Sequence, residues 1–261
     1  MVLYVVYRAS RESKDRSLLP KRLRALGCKR IHRSFWRIDE NKINKVLKVL
    51  ENNQPIILRR TREVRKPGFL GSKGMLDLGS LIVVMYAVPK GFNREKVQII
   101  LRSAPCIRLS RSIYAFPQRP LLFDKEKKLV DALEFTEFIK EIYEDVKTVS
   151  RIVVVDSTSI ERLVEETRER VEDEISSITE CWVGLYSKAL NGEDRKIIGD
   201  LFVKNRRRFL KVRRIAAFYE KWLRLDFSKS MMRSYRARRR IQSQLRKEQG
   251  TPVDRTRSVH K

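Results

Sequence analysis

The sequence has almost no histidine, little cysteine and no long apolar run. Its histidines are His32 and His260. A zinc site needs several ligands at fixed spacing, so His32, standing in a strand-like run with Arg30 and Arg33 close by, reads as structural. Cys28, Cys106 and Cys181 are odd in number, widely spaced and free of any CxxC pattern. That argues against a disulfide framework and for small core residues in a reducing cytoplasm. The longest apolar run, residues 81–89, falls far short of the ~20 residues of a spanning helix. The opening run from Val2 to Tyr7 has no signal-peptide layout, so a soluble protein without a membrane partner is expected. Neither GxxxxGK[ST] nor GxGxxG occurs, which leaves no evident phosphate loop, and no cofactor is expected.

Acidic residues are the other shortage. Against 32 Asp and Glu stand 59 Lys and Arg, a formal charge of +27. The apolar fraction of 42% is enough for a real core, so the chain is not disordered as a whole. Charge so far from zero repels itself unless a polyanion meets it, and a pI near 10.4 suits a nucleic-acid-binding chain. Anionic membrane and plain surface solvation are the competing explanations.

An internal repeat organises the first half. Residues 3–38 align without gaps on residues 81–116, at an offset of 78. In that register Val5-Val6 fall on Val83-Val84, Leu23-Arg24 on Leu101-Arg102, Cys28 on Cys106, Arg33-Ser34 on Arg111-Ser112 and Trp36 on Tyr114. Each copy reads as a Val-rich strand, a helix, two short strands kinked at a serine, a second helix and a last strand. The helices are expected at about 15–26 and 42–50 in the first copy, and at about 94–103 and 125–146 in the second, with last strands at about 55–60 and 151–156. Gly27 and Pro105 stop the first helix of each copy. The order βαββαβ is that of a ferredoxin-like module.

The expected architecture is therefore α+β. Two tandem ferredoxin-like modules, residues 1–66 and 81–156, are separated by a Gly-rich linker, 67–80. A strongly basic helical region, 157–249, follows, and then a disordered tail, 250–261. In the helical region Ile160, Leu163, Val164, Val171, Ile175 and Ile178 recur at helical steps. Further helices are expected at about 193–226 and 228–248.

Charge concentrates at the end. From Lys204 onward twenty Lys and Arg face four acids. Arg206, Arg207, Arg208, Lys211, Arg213 and Arg214 cover nearly a full helical circumference, and Arg236, Arg238, Arg239 and Arg240 repeat the pattern. Arginine suits bidentate phosphate contact. Arg30 and Arg33, in a basic cluster of the first repeat, are further candidates. Phe209, Phe218, Tyr219, Trp222, Phe227 and Tyr235 lie among these arginines. Such aromatics either stack on unpaired bases or form the apolar seam of a helix pair, and their spacing favours the seam. The expected partner is nucleic acid, DNA or RNA, with a homo-oligomer or protein partner also open. No catalytic set stands out, and the acidic run from Glu165 to Glu174 reads as a charged helix face.

On LYVVY, LRALG and CKRIHRSFW the first repeat resembles the small CRISPR-adaptation protein family, which is ferredoxin-like and related to VapD-type nucleases. The resemblance covers about 60 residues, and its strand CKRIHRSFW parallels that family's R-x-Q-x-S-V-F. On LIVVMYAVPKG and RLSRSIYAFP the second repeat resembles the N-terminal region of chromate-resistance regulators. The first resemblance implies dimers around a duplex, which two fused copies would imitate within one chain. It also implies, for the nucleases, an Asp just after the first strand. Here Arg8 or Ala9 stands there, aligned with Tyr86 and Ala87. A hard cation needs oxygen ligands, so a nuclease is the disfavoured alternative, beside a regulator or assembly protein acting through protein contacts.

Overall fold

The computed structural model describes residues 2–9, 17–70, 75–88, 95–118 and 129–250. The starts of the expected helices at 15–26, 94–103 and 125–146, and the expected tail beyond residue 250, lie outside these. The chain forms two compact units. Met1–Glu169 and Arg214–Leu225 make the first, and Arg170–Arg213 and Asp226–Lys261 the second.

The first unit opens with β1 (Leu3–Val6), α1 (Leu19–Ala25), β2 (Lys29–His32), β3 (Phe35–Ile38), α2 (Ile43–Leu50) and β4 (Ile56–Arg60). After a hairpin of β5 (Gly68–Leu70) and β6 (Met75–Asp77) the same order returns. It runs β7 (Leu81–Tyr86), α3 (Glu95–Leu101), β8 (Ile107–Ser110), β9 (Ile113–Pro117), α4 (Ala132–Ile142) and β10 (Val146–Val154). The fold is α+β, as expected. One antiparallel sheet of eight strands, in the order β2-β3-β1-β4-β10-β7-β9-β8, contains both halves. They join where Leu58, Arg59 and Arg60 of β4 pair with Val154, Val153 and Ile152 of β10.

Local chemistry sets the element ends. α1 stops at Gly27, whose φ of 75° is left-handed, while the Cys28 amide donates back to the Leu23 carbonyl at 3.0 Å. α4 is shorter than the expected 125–146. Asp131 caps it by accepting from the Leu133 and Glu134 amides at 2.8 and 2.9 Å, and the Glu134 carboxylate in turn accepts from the Asp131 amide. The last strand accordingly begins at Val146 rather than near 151. Val146 to Val149 pair with β7, and the register then shifts at Arg151, where φ is 58°, before pairing with β4 begins.

The expected Gly-rich linker is instead an anchored hairpin. Asp77 is buried, pairs with Arg65 at 2.8 Å and accepts from the Gly79 amide at 2.9 Å. Gly79 has a φ of 72°, and a Cβ there would lie 2.6 Å from the Pro67 nitrogen. Only glycine fits that approach.

Alternate residues of each half bury against their own helices: Leu3, Val5, Tyr7, Trp36, Ile38 and Ile57 in one, Val84, Tyr86, Tyr114 and Phe116 in the other. The opposite face is buried too, through Tyr4, Val6, Phe35, Val83, Met85 and Ile113. Here the halves meet. Ser110 Oγ donates to the Tyr7 carbonyl at 3.1 Å, and His32 Nε2 donates to the Tyr86 carbonyl at 3.2 Å. Arg8 donates to the carbonyls of Leu109 and Arg108 and pairs with Glu166. Since β2 and β8 are the outermost strands, these contacts show that the sheet folds back on itself about the β4–β10 seam.

The structure corrects the repeat register of the first strands. Val5 pairs with Trp36, and Val84 with Tyr114, while Trp36 and Tyr114 are 78 residues apart. Val5 is therefore equivalent to Val84, not Val83, and Tyr7 to Tyr86. Matching amide bonds run from Tyr7 to the Ser34 carbonyl and from Tyr86 to the Ser112 carbonyl. Arg8 then falls on Ala87 and Ala9 on Val88.

Three long helices complete the described chain: α5 (Ser157–Leu190), α6 (Arg195–Leu223) and α7 (Ser228–Gly250). Asp156, Asp194 and Asp226 cap them through the amides of Ser159, Lys196 and Ser228 at 2.6 to 2.8 Å. The helical region expected at 157–249 is divided between the units. The start of α5, up to Glu169, and the end of α6, from Arg214, belong to the first unit. Tyr219 Oη there donates to the Cys106 carbonyl at 2.8 Å, and Trp222 Nε1 to the Leu78 carbonyl at 3.1 Å.

Candidate nucleic-acid interface

The second unit is built from α5, α6 and α7 running alternately up and down. Asn205 on α6 donates to the Ile178 carbonyl on α5 at 3.1 Å, Trp182 rests on Phe202, and Arg195 near the start of α6 reaches the Leu245 carbonyl near the end of α7. Trp182, Ile198, Phe209 and Ile241 fill the interior. Neighbouring residues of a helix point about 100° apart, so these buried positions fix which faces remain outside.

On α6 the cations do not cover the circumference. Asn205, Phe209 and Val212 occupy the inner face, while Lys204, Arg206, Arg207, Lys211 and Arg213 are exposed on the outer half. Lys204, Arg207 and Lys211 follow one another at steps of three and four, a stripe along the helix. Arg214 is exposed on the same helix but falls in the first unit. Arg208 points inward. Its Nε donates to Glu174 at 2.6 Å and its guanidinium to Ser177 Oγ at 3.1 Å. The Glu174 hydrogen bond raises the Arg208 pKa against the opposing effect of burial.

On α7 Arg236, Arg239 and Arg240 are exposed, with Lys229, Arg233 and Arg246 beside them. Arg238 is half-buried, and its Nε has no hydrogen-bond partner. Lys229, Arg233 and Arg246 are not among the cations that the sequence marks out, since each stands apart from the dense arginine clusters. The spacing of Lys229, Arg233, Arg236 and Arg240, at i, i+4, i+7 and i+11, is the signal that finds them.

No acidic residue lies between Leu201 and Tyr219 or between Ser228 and Lys247. Among the described residues Arg206, Arg207, Lys211, Arg213, Arg214, Arg233, Arg236, Arg239 and Arg240 have no carboxylate partner. Cations three and four residues apart on one helix are neighbours, and their repulsion acts within the ~8 Å Debye length of physiological salt.

The aromatics belong to the interior. Phe209, Phe218, Tyr219, Trp222 and Phe227 are all at most 3% exposed, and only Tyr235 is exposed among the aromatics of α6 and α7. Arg30 and Arg33 are exposed on the first unit, with Arg30 lying 6.0 Å over the Trp36 ring. No family model, curated protein or solved structure matches this chain.

His32, on the outermost strand β2, bridges the two halves through its bond to the Tyr86 carbonyl. Burial pushes its pKa below 6.5, against the opposing effect of its bond to the Tyr86 carbonyl. Nε2 carries the proton donated to that carbonyl, and Nδ1 is buried without a partner. Arg8, at one of the positions where the resemblance asks for a carboxylate, is spent on three contacts within the first unit. No group of three His, Cys, Asp or Glu among the described residues is placed to hold a metal ion, and no described helix is long and apolar enough to cross a membrane.

Proposed function

We propose that this chain binds nucleic acid through phosphate contacts from the exposed cations of α6 and α7, without catalysing a reaction. The observation that carries the proposal is the set of exposed, acid-free cations on those two helices, which have no carboxylate partner among the described residues. A polyanion with closely spaced phosphates relieves their mutual repulsion and releases its own condensed counterions. Contacts of this kind position a protein on the backbone and carry little sequence information.

We further propose that the two halves of the sheet are ferredoxin-like modules that imitate a dimer within one chain. Support comes from the matching strand orders on either side of β4 and β10, and from the paired contacts at Tyr7 and Tyr86. The resemblance to CRISPR-adaptation proteins and to chromate-resistance regulators agrees with that reading. Arg8 and Ala87, equivalent in the corrected register, support a non-catalytic role, since neither supplies a carboxylate after the first strand.

The test is binding of the full chain to duplex DNA, single-stranded DNA and structured RNA across a salt series. Replacing Arg206, Arg207, Lys211 and Arg213 with Gln should flatten the log–log salt slope by up to about 3.6, at about 0.9 for each duplex phosphate no longer neutralised. An intact protein with no affinity for any polynucleotide at low ionic strength sinks the proposal. An unchanged slope and affinity in the variant removes α6 from it.

A further inference from the structure

We infer that α7 enters a nucleic-acid groove, and that its partner is B-form duplex DNA, entered through the major groove. This rests on the nucleic-acid reading above and narrows it to one helix and one polymer.

The exposed half of α7 has three parallel tracks. Opposite the buried Ser234 and Ile241 runs a ridge of Met232, Arg236 and Ser243, spaced four and seven residues apart. One shoulder beside it carries Lys229, Arg233 and Arg240, and the other carries Arg239 and Arg246. Cations thus flank a less charged crest on both sides. A helix resting on a single line of phosphates needs charge on one track only. A helix lying between two backbones needs it on both shoulders.

Dimensions select the groove. A helix with its side chains is about 10–12 Å across, and the B-DNA major groove is about 12 Å wide. The A-form major groove of double-stranded RNA is too narrow for side chains to read. From Lys229 to Arg246 the helix rises about 26 Å, within one turn of about 34 Å. Single strands are held by stacking bases on aromatic platforms, and here the aromatics other than Tyr235 are turned inward. A helix lying on a membrane needs a broad apolar face, whereas the free face of α7 offers only Met232 and Tyr235 as large apolar groups.

Roles follow from the tracks. The shoulders neutralise phosphates on the two strands whatever the sequence. On the ridge, the Arg236 guanidinium is the group that reaches base edges, and guanine O6 and N7 are its match.

The experiment uses the intact protein and fluorescence anisotropy with a labelled DNA duplex of about 20 base pairs, spanning about two turns. The same sequence is offered as an RNA duplex and as single-stranded DNA, and phosphatidylserine vesicles serve as a competitor. The DNA duplex should bind about tenfold or more tighter than either other polymer. Methyl green, a major-groove ligand, should displace the protein, and netropsin, a minor-groove ligand, should not.

Arg233→Ala with Arg240→Ala should weaken binding about tenfold and lower the salt slope by about two. Lys45→Ala with Lys48→Ala on α2 removes the same charge from exposed positions elsewhere and should change affinity less than about twofold. Circular dichroism of both variants reports whether they remain folded. Equal affinity for the RNA duplex or single strand, displacement by netropsin, preferential capture by vesicles, or equal weakening in both double variants overturns the inference while the broader reading stands. Absence of binding to every polynucleotide overturns the broader reading itself.

Discussion

Trp222→Ala should open the first unit, although Trp222 lies far along the chain, in a helix whose outer face carries cations. The indole is 1% exposed and donates to the Leu78 carbonyl. Replacing a buried Trp with Ala costs about 3–5 kcal/mol, and a buried carbonyl left without its donor adds about 1–3 kcal/mol. The urea dependence of unfolding is about 1–3 kcal/mol per molar, so a loss near 5 kcal/mol lowers the midpoint by about 2 M or more. Trp222→Phe keeps most of the ring burial and should lose mainly the hydrogen bond, about 1–2 kcal/mol. The cysteines provide the assay. Cys28 and Cys106 are buried in the two halves of the first unit, while Cys181, in the second, is exposed. Thiol labelling at increasing urea should modify Cys181 from the start and Cys106 only when the first unit opens. If Cys106 becomes reactive at the same urea concentration in Trp222→Ala as in the wild type, the end of α6 is not part of that core, and the reasoning fails.

His32 makes stability fall on the acid side. Burial lowers its folded pKa below 6.5, so the unfolded chain binds the proton more readily, and stability is full above pH 6.5 and declines as pH drops through the folded value. Melting temperature between about pH 7.5 and pH 5 should fall less in His32→Gln than in the wild type, at the position where only the imidazole titrates. Arg8→Lys keeps the charge but loses the planar fork that reaches two carbonyls and Glu166, and should cost about 1–3 kcal/mol in urea unfolding. Gly79→Ala and Gly192→Ala both force alanine into a left-handed backbone, at 72° and 71°. Gly192 faces open space, so its variant should lose about 1 kcal/mol, while the Gly79 variant, meeting the backbone of Arg65 to Pro67, should lose at least twice as much by thermal unfolding.

Much of this fold could be read from the sequence where polar and apolar residues alternate or where a capping group stands. The serine kinks at Ser34 and Ser112 are hairpin turns, and the long helices begin beside Asp156, Asp194 and Asp226. The register of β1 against β7 could not be read. Both strands are buried on both faces, so LYVV and LIVVMY show no alternation, and a slip of one residue costs nothing in the pattern. The bond partners of Tyr7 and Tyr86 settle it. The hairpin of β5 and β6 was hidden because its glycines suggest looseness, whereas its order comes from Asp77 and Arg65, a pair distant in sequence.

For the candidate interface, the sequence locates the cations but not their directions. Arg206, Arg207 and Arg208 are consecutive, yet the first two face outward and the third is tied to Glu174. Nothing local distinguishes Arg208, because its direction depends on where Asn205 and Phe209 are buried. The aromatics are the reverse case. Their helical spacing already argued for the interior, and their burial agrees with it.

The seam at β4 and β10 bears on how far the two proposed modules can differ. An association of two identical subunits must place the same side chain at both symmetry-related positions, so a change that suits one side is forced on the other. Here the equivalent positions lie in one polypeptide. His32 and Ser110 make corresponding contacts with different chemistry, and Arg8 reaches across where its counterpart Ala87 has no such side chain. On the proposed reading of the halves as two modules in one chain, neither is bound by the other's constraints. A titratable group could settle in one half alone, and so could a long cationic anchor.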